Sequence, residues 1–341
     1  MRRTLGKWYN LSDDKTVEVK WNTTEENTIE NELKKGQVKV IKIDQDNNEV
    51  KLEGVEFEVL DENDNVLEKI TTDKNGEALT SRYPIRDFEK IKLRETKTQE
   101  NYVLSDEVKT IELKENQIEN ITFKNEKKKA QIRVIKVDLD NNDVVLEGVK
   151  FDVKDENGKV VDTIITNKDG IATTKRIPID SNYTVVETET RKEYKLTEET
   201  QTVTLKQDEI KNVIFKNELR KGQLKVIKVD LDDNEVLLEG VTFDIIDEKG
   251  NKVDTITTDK NGEATTKRLP SVGKKYTAIE RETRKEYVLT EETQTVELKE
   301  DEIKTIQFEN EKIKGYLEIT KVDSKTKEKL EGATFGIYDM E

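Results

Sequence analysis

The 341-residue chain contains no cysteine and no histidine. Those two absences exclude disulfides, thiol nucleophiles and imidazole acid-base catalysis, and they remove the ligands of most zinc, copper and haem sites. No run of about 18 apolar residues occurs, so no helical membrane span is expected. The opening Met1-Arg2-Arg3-Thr4-Leu5-Gly6 has no apolar segment behind its charges, and no signal peptide is visible in it. Proline appears only as Pro84, Pro178 and Pro270. A basic stripe is also missing: 60 basic and 75 acidic residues, net charge −15, are interspersed along the chain, which argues against nucleic-acid binding.

What is present is repetition. Val40-Ile41-Lys42-Ile43-Asp44 returns as Val134-Ile135-Lys136-Val137-Asp138, as Val226-Ile227-Lys228-Val229-Asp230 and as Ile319-Thr320-Lys321-Val322-Asp323, at a period of about 93 residues. The three prolines fall at the same place in their repeats. Units of this size can each bury one small core. The reading is a tandem array with full repeats at 36–127, 130–219 and 222–312. Residues 1–33 look like the closing part of a preceding repeat and 315–341 like the opening of a following one.

The third repeat shows the internal plan. Strands are expected over Leu224–Asp230, Val241–Ile246, Val253–Thr258, a short one through Ala264, Tyr276–Glu282, Val296–Leu298 and Thr305–Asn310. Asp247-Glu248-Lys249-Gly250-Asn251 and Asp259-Lys260-Asn261-Gly262 are turns with glycine where positive φ is cheap. Pro270 is expected to break the ladder, and Gln207–Lys211 could form one helical turn. Seven short strands without a 3.6-residue period predict an all-β fold, a series of immunoglobulin-like antiparallel β-sandwiches.

Residues two apart on a strand share a face. Val38, Val40 and Lys42 therefore point together, as do Ile132, Val134 and Lys136, and the lysine faces the core. The last strand groups Ile121, Phe123 and Asn125; Val213, Phe215 and Asn217; Ile306, Phe308 and Asn310. The fifth groups Ile91, Leu93 and Glu95; Tyr183, Val185 and Glu187; Tyr276, Ala278 and Glu280. A lysine, a glutamate and an asparagine inside one apolar core must compensate one another, since each alone costs several kcal/mol.

Two readings of that set are open. One is a buried ion pair with asparagine as hydrogen-bond partner. The other is covalent: burial disfavours charge, so a neutral amine can face a protonated acid and attack the asparagine carbonyl. The acid would hydrogen-bond to that oxygen and pass a proton to the leaving ammonia. Such a reaction happens once per domain and is maturation, not turnover.

These residues resemble the B-type repeats of collagen-binding adhesins and the related pilin domains of Gram-positive surface proteins, which are prealbumin-like sandwiches. The resemblance also rests on Leu52 to Phe57, Leu146 to Phe151 and Leu238 to Phe243 (Leu-Glu-Gly-Val-x-Phe), on the partial Leu330 to Phe335, and on the Asn-Gly or Asp-Gly turns. It implies isopeptide bonds from Lys42 to Asn125, Lys136 to Asn217 and Lys228 to Asn310, catalysed by Glu95, Glu187 and Glu280. Asn31 and Lys321 would be left unbonded. Glu187-Thr188-Glu189-Thr190-Arg191-Lys192-Glu193-Tyr194 departs from the family's Glu-x-x-Ala-Pro-x-Gly-Tyr, although glutamate and tyrosine keep their spacing. Glu189 and Glu282 share parity with the proposed catalysts, but the first repeat has Lys97 there.

The resemblance further implies a stalk on a bacterial surface, extracellular and wall-attached in the parent protein, with a host extracellular-matrix protein bound through domains outside this chain. No cofactor or metal is expected. Asp44-Gln45-Asp46-Asn47-Asn48 is rich in oxygen but lacks the glycine and closing spacing of a calcium loop. A direct ligand-binding adhesin is the rival function, and an enzyme acting on an external substrate is disfavoured because the reactive groups face inward. The linkers Asn125 to Lys129, Asn217 to Lys221 and Asn310 to Lys314 lack Gly/Ser tracts, which points to limited bending.

Overall fold

A computed structural model describes residues 6–338; the start Met1 to Leu5 and the last residues, 339–341, lie outside it. The described residues form 24 strands and no helix. Two compact units separate, one running to Thr190 and including Leu196–Lys216, the other made of Arg191–Lys195 and the chain from Asn217 onward.

In the first repeat the strands are β1 (Lys35–Asp44), β2 (Glu56–Leu60), β3 (Val66–Thr71), β4 (Glu77–Leu79), β5 (Tyr83–Pro84), β6 (Lys90–Lys97), β7 (Val108–Glu112) and β8 (Ile118–Asn125). One sheet centres on β1, with β4 and β5 along one edge and β8 along the other; the second has the order β3-β2-β6-β7. The second repeat, β9 (Lys129–Asp138) to β16 (Ile210–Asn217), and the third, β17 (Lys221–Asp230) to β24 (Ile303–Asn310), repeat this plan strand for strand.

Burial alternates along β1 as the period-two pattern requires, with Val38 and Val40 fully buried. The core between the sheets is built around the phenylalanine of Leu-Glu-Gly-Val-x-Phe and the phenylalanine two residues before the last asparagine. Phe57 and Phe123 have ring centroids 4.9 Å apart, and Phe243 and Phe308 stand 5.0 Å apart in a tilted pair.

Four features differ from the sequence reading. The sandwich is not wholly antiparallel: β1 and β8 run parallel over Gln37–Asp44 and Ile118–Asn125, and β17 and β24 likewise. The whole intervening repeat serves as the crossover that parallel neighbours need. Each proline sits inside an eighth, two-residue strand, where Pro84 pairs with Lys35 and Pro270 with Lys221 at a sheet margin that does not need its missing N–H. No helical turn forms at Gln207–Lys211, because Asp208 adopts φ 59° and leads directly into β16. The fourth difference is a β-bulge in β6, β14 (Asn182–Glu189) and β22 (Lys275–Glu282), whose consequence appears at the site.

The turn glycine before the fourth strand is tied to the lysine. Gly262 has φ 66°, its carbonyl accepts the Lys228 N–H at 2.8 Å, and a Cβ placed on it would lie 2.7 Å from the Lys228 carbonyl oxygen. Gly262→Ala is therefore expected to destabilise the third repeat by about 1–3 kcal/mol, through backbone strain and that clash. Denaturant unfolding of the full chain, followed by a proteolysis readout of the third repeat, checks this; unchanged stability would contradict the strain argument.

Candidate functional site

Lys42, Lys136 and Lys228 are each 0% exposed, the glutamates Glu95, Glu187 and Glu280 are 3% exposed, and Asn125, Asn217 and Asn310 are 1% exposed. The lysine comes from the first strand, the asparagine closes the last strand of the same sheet, and the glutamate comes from the opposite sheet. Parallel register sets Asp44 beside Asn125 and Lys42 beside Phe123, so lysine and asparagine enter the core one pleat apart and on one face.

In the third repeat the Lys228 Nζ donates to Asn310 Oδ1 at 2.6 Å and lies 3.1 Å from Glu280 Oε2. The Asn310 Nδ2 donates to Glu280 Oε1 at 2.6 Å and to Thr283 Oγ1 at 2.7 Å. The first repeat matches: Lys42 Nζ donates to Asn125 Oδ1 and stands 2.7 Å from Glu95 Oε2. There, Asn125 Nδ2 donates to Glu95 Oε1 at 2.5 Å and to Thr98 Oγ1 at 2.8 Å. In the second repeat Lys136 Nζ is 2.8 Å from Glu187 Oε2, with Asn217 buried at the end of β16, which pairs with β9.

Burial lowers all three lysine amines below the ordinary lysine range, and the hydrogen bond and charge of the facing glutamate oppose this only in part. In the second repeat the paired phenylalanines flank the amine: Lys136 Nζ lies 6.0 and 5.9 Å from the Phe151 and Phe215 ring centres.

The carboxyl meets the amide nitrogen, where the sequence reading put it against the amide oxygen. One carboxyl thus spans the amine and the amide nitrogen. Its Oε2 stands 2.7 Å from the amine in Glu95 and 3.1 Å from it in Glu280. The atoms that must lose and gain a proton in amide exchange therefore flank a single acid-base group.

The bulge explains why the next glutamate along is not used. Phe151 pairs with Glu187 while Lys150 pairs with Glu189, so the two carboxyls leave the strand on opposite faces. Glu189 is exposed, 2.8 Å from Lys150, and Lys97 at the matching place pairs with Glu56. Asn31 and Lys321 are both exposed.

The model of the SpaA prealbumin-like fold domain matches residues 36–127, 130–219 and 222–312. The chain belongs to the SpaA prealbumin-like family. Among solved structures, the Bacillus anthracis TIE protein shares 30% identity with TM-score 0.68, over 81% of this chain and 51% of that one. The major pilin subunit of Bacillus cereus shares 16% identity (TM-score 0.38; 82% and 100% covered), and a streptococcal ancillary pilin 19% (TM-score 0.30; 82% and 99%). No curated protein matches. This SpaA-type chain spans about half the length of the Bacillus anthracis structure.

The sequence reading missed two partners of the SpaA-type site. One is the threonine three residues after the glutamate, Thr98 and Thr283, whose signal was its recurrence as Glu-x-x-Thr. The other is the aspartate of Lys-x-Asp. Asp230 Oδ2 accepts from the Tyr287 hydroxyl at 2.7 Å, and Asp44 from Tyr102 at 2.8 Å, which accounts for the constant spacing of glutamate and tyrosine. The other oxygen of Asp44 caps the backbone N–H of Asp46 and Asn47, so the oxygen-rich loop is a hydrogen-bonded turn.

The Tyr287 hydroxyl, with backbone N–H donors, holds Asp230 down to about 2, while burial and then Asp230 push Tyr287 up to about 12. A depressed carboxyl stabilises the fold above its unfolded value near 4 and loses that contribution as pH falls toward 2. Tyr287→Phe is expected to cost about 1 kcal/mol at neutral pH, with the difference from wild type shrinking between about pH 4 and pH 2. Denaturant titrations across that range check the sign; a difference that grows on acidification would refute it.

Proposed function

We propose that the chain is a stalk segment of a bacterial surface protein, extracellular and wall-attached in its parent, whose repeats harden themselves with Lys42–Asn125, Lys136–Asn217 and Lys228–Asn310 isopeptide bonds. The observation that carries this reading is the fully buried contact of an amine, lowered from its ordinary range by that burial, with a carboxamide and one bridging carboxyl. Nζ attacks Cγ of the asparagine, the Nζ–Cγ bond forms and the Cγ–Nδ2 bond breaks. One proton from Nζ reaches Nδ2 through the glutamate, ammonia leaves, and the carboxyl is restored. Each site reacts once, so the chain is not an enzyme toward other molecules.

The stalk role follows from the load path. Because the first and last strands are parallel neighbours, tension enters at Lys35 and leaves at Asn125 at opposite ends of the pair, and shears its register. A bond from Lys42 to Asn125 passes the load across and leaves roughly 80 residues outside it. Closing a loop of that length also contributes about 4.5 kcal/mol in the chain-entropy account. The stretch from Glu126 to Lys129 supports stiffness in the first unit. Lys128 N–H donates to Asn101 and its carbonyl accepts from Ile179, while Lys127 pairs with Asp180 and Lys129 with Asp46.

Intact mass should show a deficit of about 17 Da per repeat, the mass of ammonia, with Glu280→Ala restoring one such increment. Wild-type mass without any deficit would leave the ion-pair reading alone standing. Under force spectroscopy the wild-type repeats are expected not to lengthen, whereas the Glu280→Ala chain gains one step of about 290 Å. Equal extension of wild type and variant would reject the load-bearing role.

A further inference from the structure

Amide exchange inside a core demands more than an amine beside a carboxamide. The amide can sit in two orientations related by a half-turn, and only one puts its oxygen toward the amine and its nitrogen toward the acid. Something must choose between them. Nδ2 carries two hydrogens, and in the first and third repeats both are committed: one to the glutamate and one to a threonine hydroxyl, at 2.8 Å in Thr98 and 2.7 Å in Thr283. The flipped amide would set its oxygen against the carboxyl and its N–H groups against the amine, a donor facing a donor.

The threonine is placed for this by the strand. It is the first residue after β6 and after β22, directly beyond the bulge that turns the glutamate inward, and it is half-buried where its neighbours Lys97 and Glu282 are exposed. Thr190 holds the same position after β14. The family pattern set out above has alanine at this place, which has no hydroxyl to offer.

We propose that Thr98, Thr190 and Thr283 are positioning residues for isopeptide formation, each selecting the reactive amide orientation and holding the leaving nitrogen. The inference rests on the cross-linking reading. As Nδ2 takes up a proton and departs from Cγ as ammonia, its remaining hydrogens become more acidic and the bond to the hydroxyl oxygen becomes charge-assisted, so the contact strengthens toward the transition state. The hydroxyl neither gives nor keeps a proton in this scheme. The exchange of one Nζ–H proton for the Cγ–Nδ2 bond still runs through the glutamate.

The test uses the full chain, synthesised in a cell-free system, quenched in acid at intervals and digested, with the cross-linked Lys228–Asn310 peptide quantified by mass spectrometry. Thr283→Val is expected to slow linkage in the third repeat by about tenfold, whereas Thr283→Ser stays within about twofold of wild type. The first and second repeats of the same chain act as internal clocks. If they link and Thr283→Val links the third repeat as fast as wild type, the positioning role is overturned and the cross-linking reading stands. If no repeat of the wild-type chain links, the cross-linking reading itself fails. A second measurement separates positioning from packing: in an Asn310→Ala background, Thr283→Val should leave the melting temperature unchanged. A fall there as large as in the parent chain, or failure of serine to restore the rate, would assign the side chain to packing and reject the proposal.

Discussion

A lysine amine sealed from water dictates much of each repeat. It cannot remain alone in a core of valine and phenylalanine, since an isolated charge there costs more than a domain of this size can spare. Its partners arrive from far along the chain: the asparagine from the neighbouring strand of its own sheet, the glutamate from the facing sheet. The polar set therefore joins the two layers at a point where apolar packing alone would leave them free to slide. It also fixes register, because a one-residue slip of the last strand would turn the asparagine outward and leave the amine without its acceptor.

The next pleat repeats this logic with different chemistry. Two residues beyond the lysine an aspartate faces the same way and receives a tyrosine hydroxyl from the segment that follows the glutamate strand. The first strand thus presents lysine then aspartate, and the glutamate strand with its extension presents glutamate, threonine and tyrosine. Between them stands the asparagine. The bulge at Thr188 and its counterparts makes this possible, since without it the inward glutamate would be followed by a second inward residue where the first repeat has a lysine.

Much of this was legible because strand parity is a strong rule. Val38, Val40 and Lys42 share a face by simple counting, and the same count put Asn125 and Glu95 inside, where the structure has them. The repeat period and the all-β class followed from spacing and turn residues. Other features depend on contacts that a single strand does not encode. Parallel pairing of β1 with β8 is decided by how the sandwich closes; the two-residue proline strand is too short to carry a periodic signal. The left-handed Asp208 looks like any acidic residue in a helical turn, and parity counted straight through a bulge made Glu189 and Glu282 seem equivalent to the buried glutamates. Thr98 and Thr283 were visible as a recurrence, but their use depends on where the amide nitrogen points.

On the proposed reading, folding and bond formation would make successive demands on the same atoms. While the chain folds, the cluster has only to satisfy an amine, and an ion pair or a neutral pair sharing one proton serves about equally, because burial penalises both charges together. On that reading amide exchange needs a neutral amine in a buried site, and burial favours that form only after the last strand has docked and the facing sheet has closed over it. On the proposed reading this order acts as a check on the fold. A repeat whose last strand is out of register offers no carboxamide to the amine, and a repeat with open sheets keeps its lysine hydrated and protonated. Only the native arrangement can be locked, so the covalent tie would preserve a register already selected by hydrogen bonding and packing.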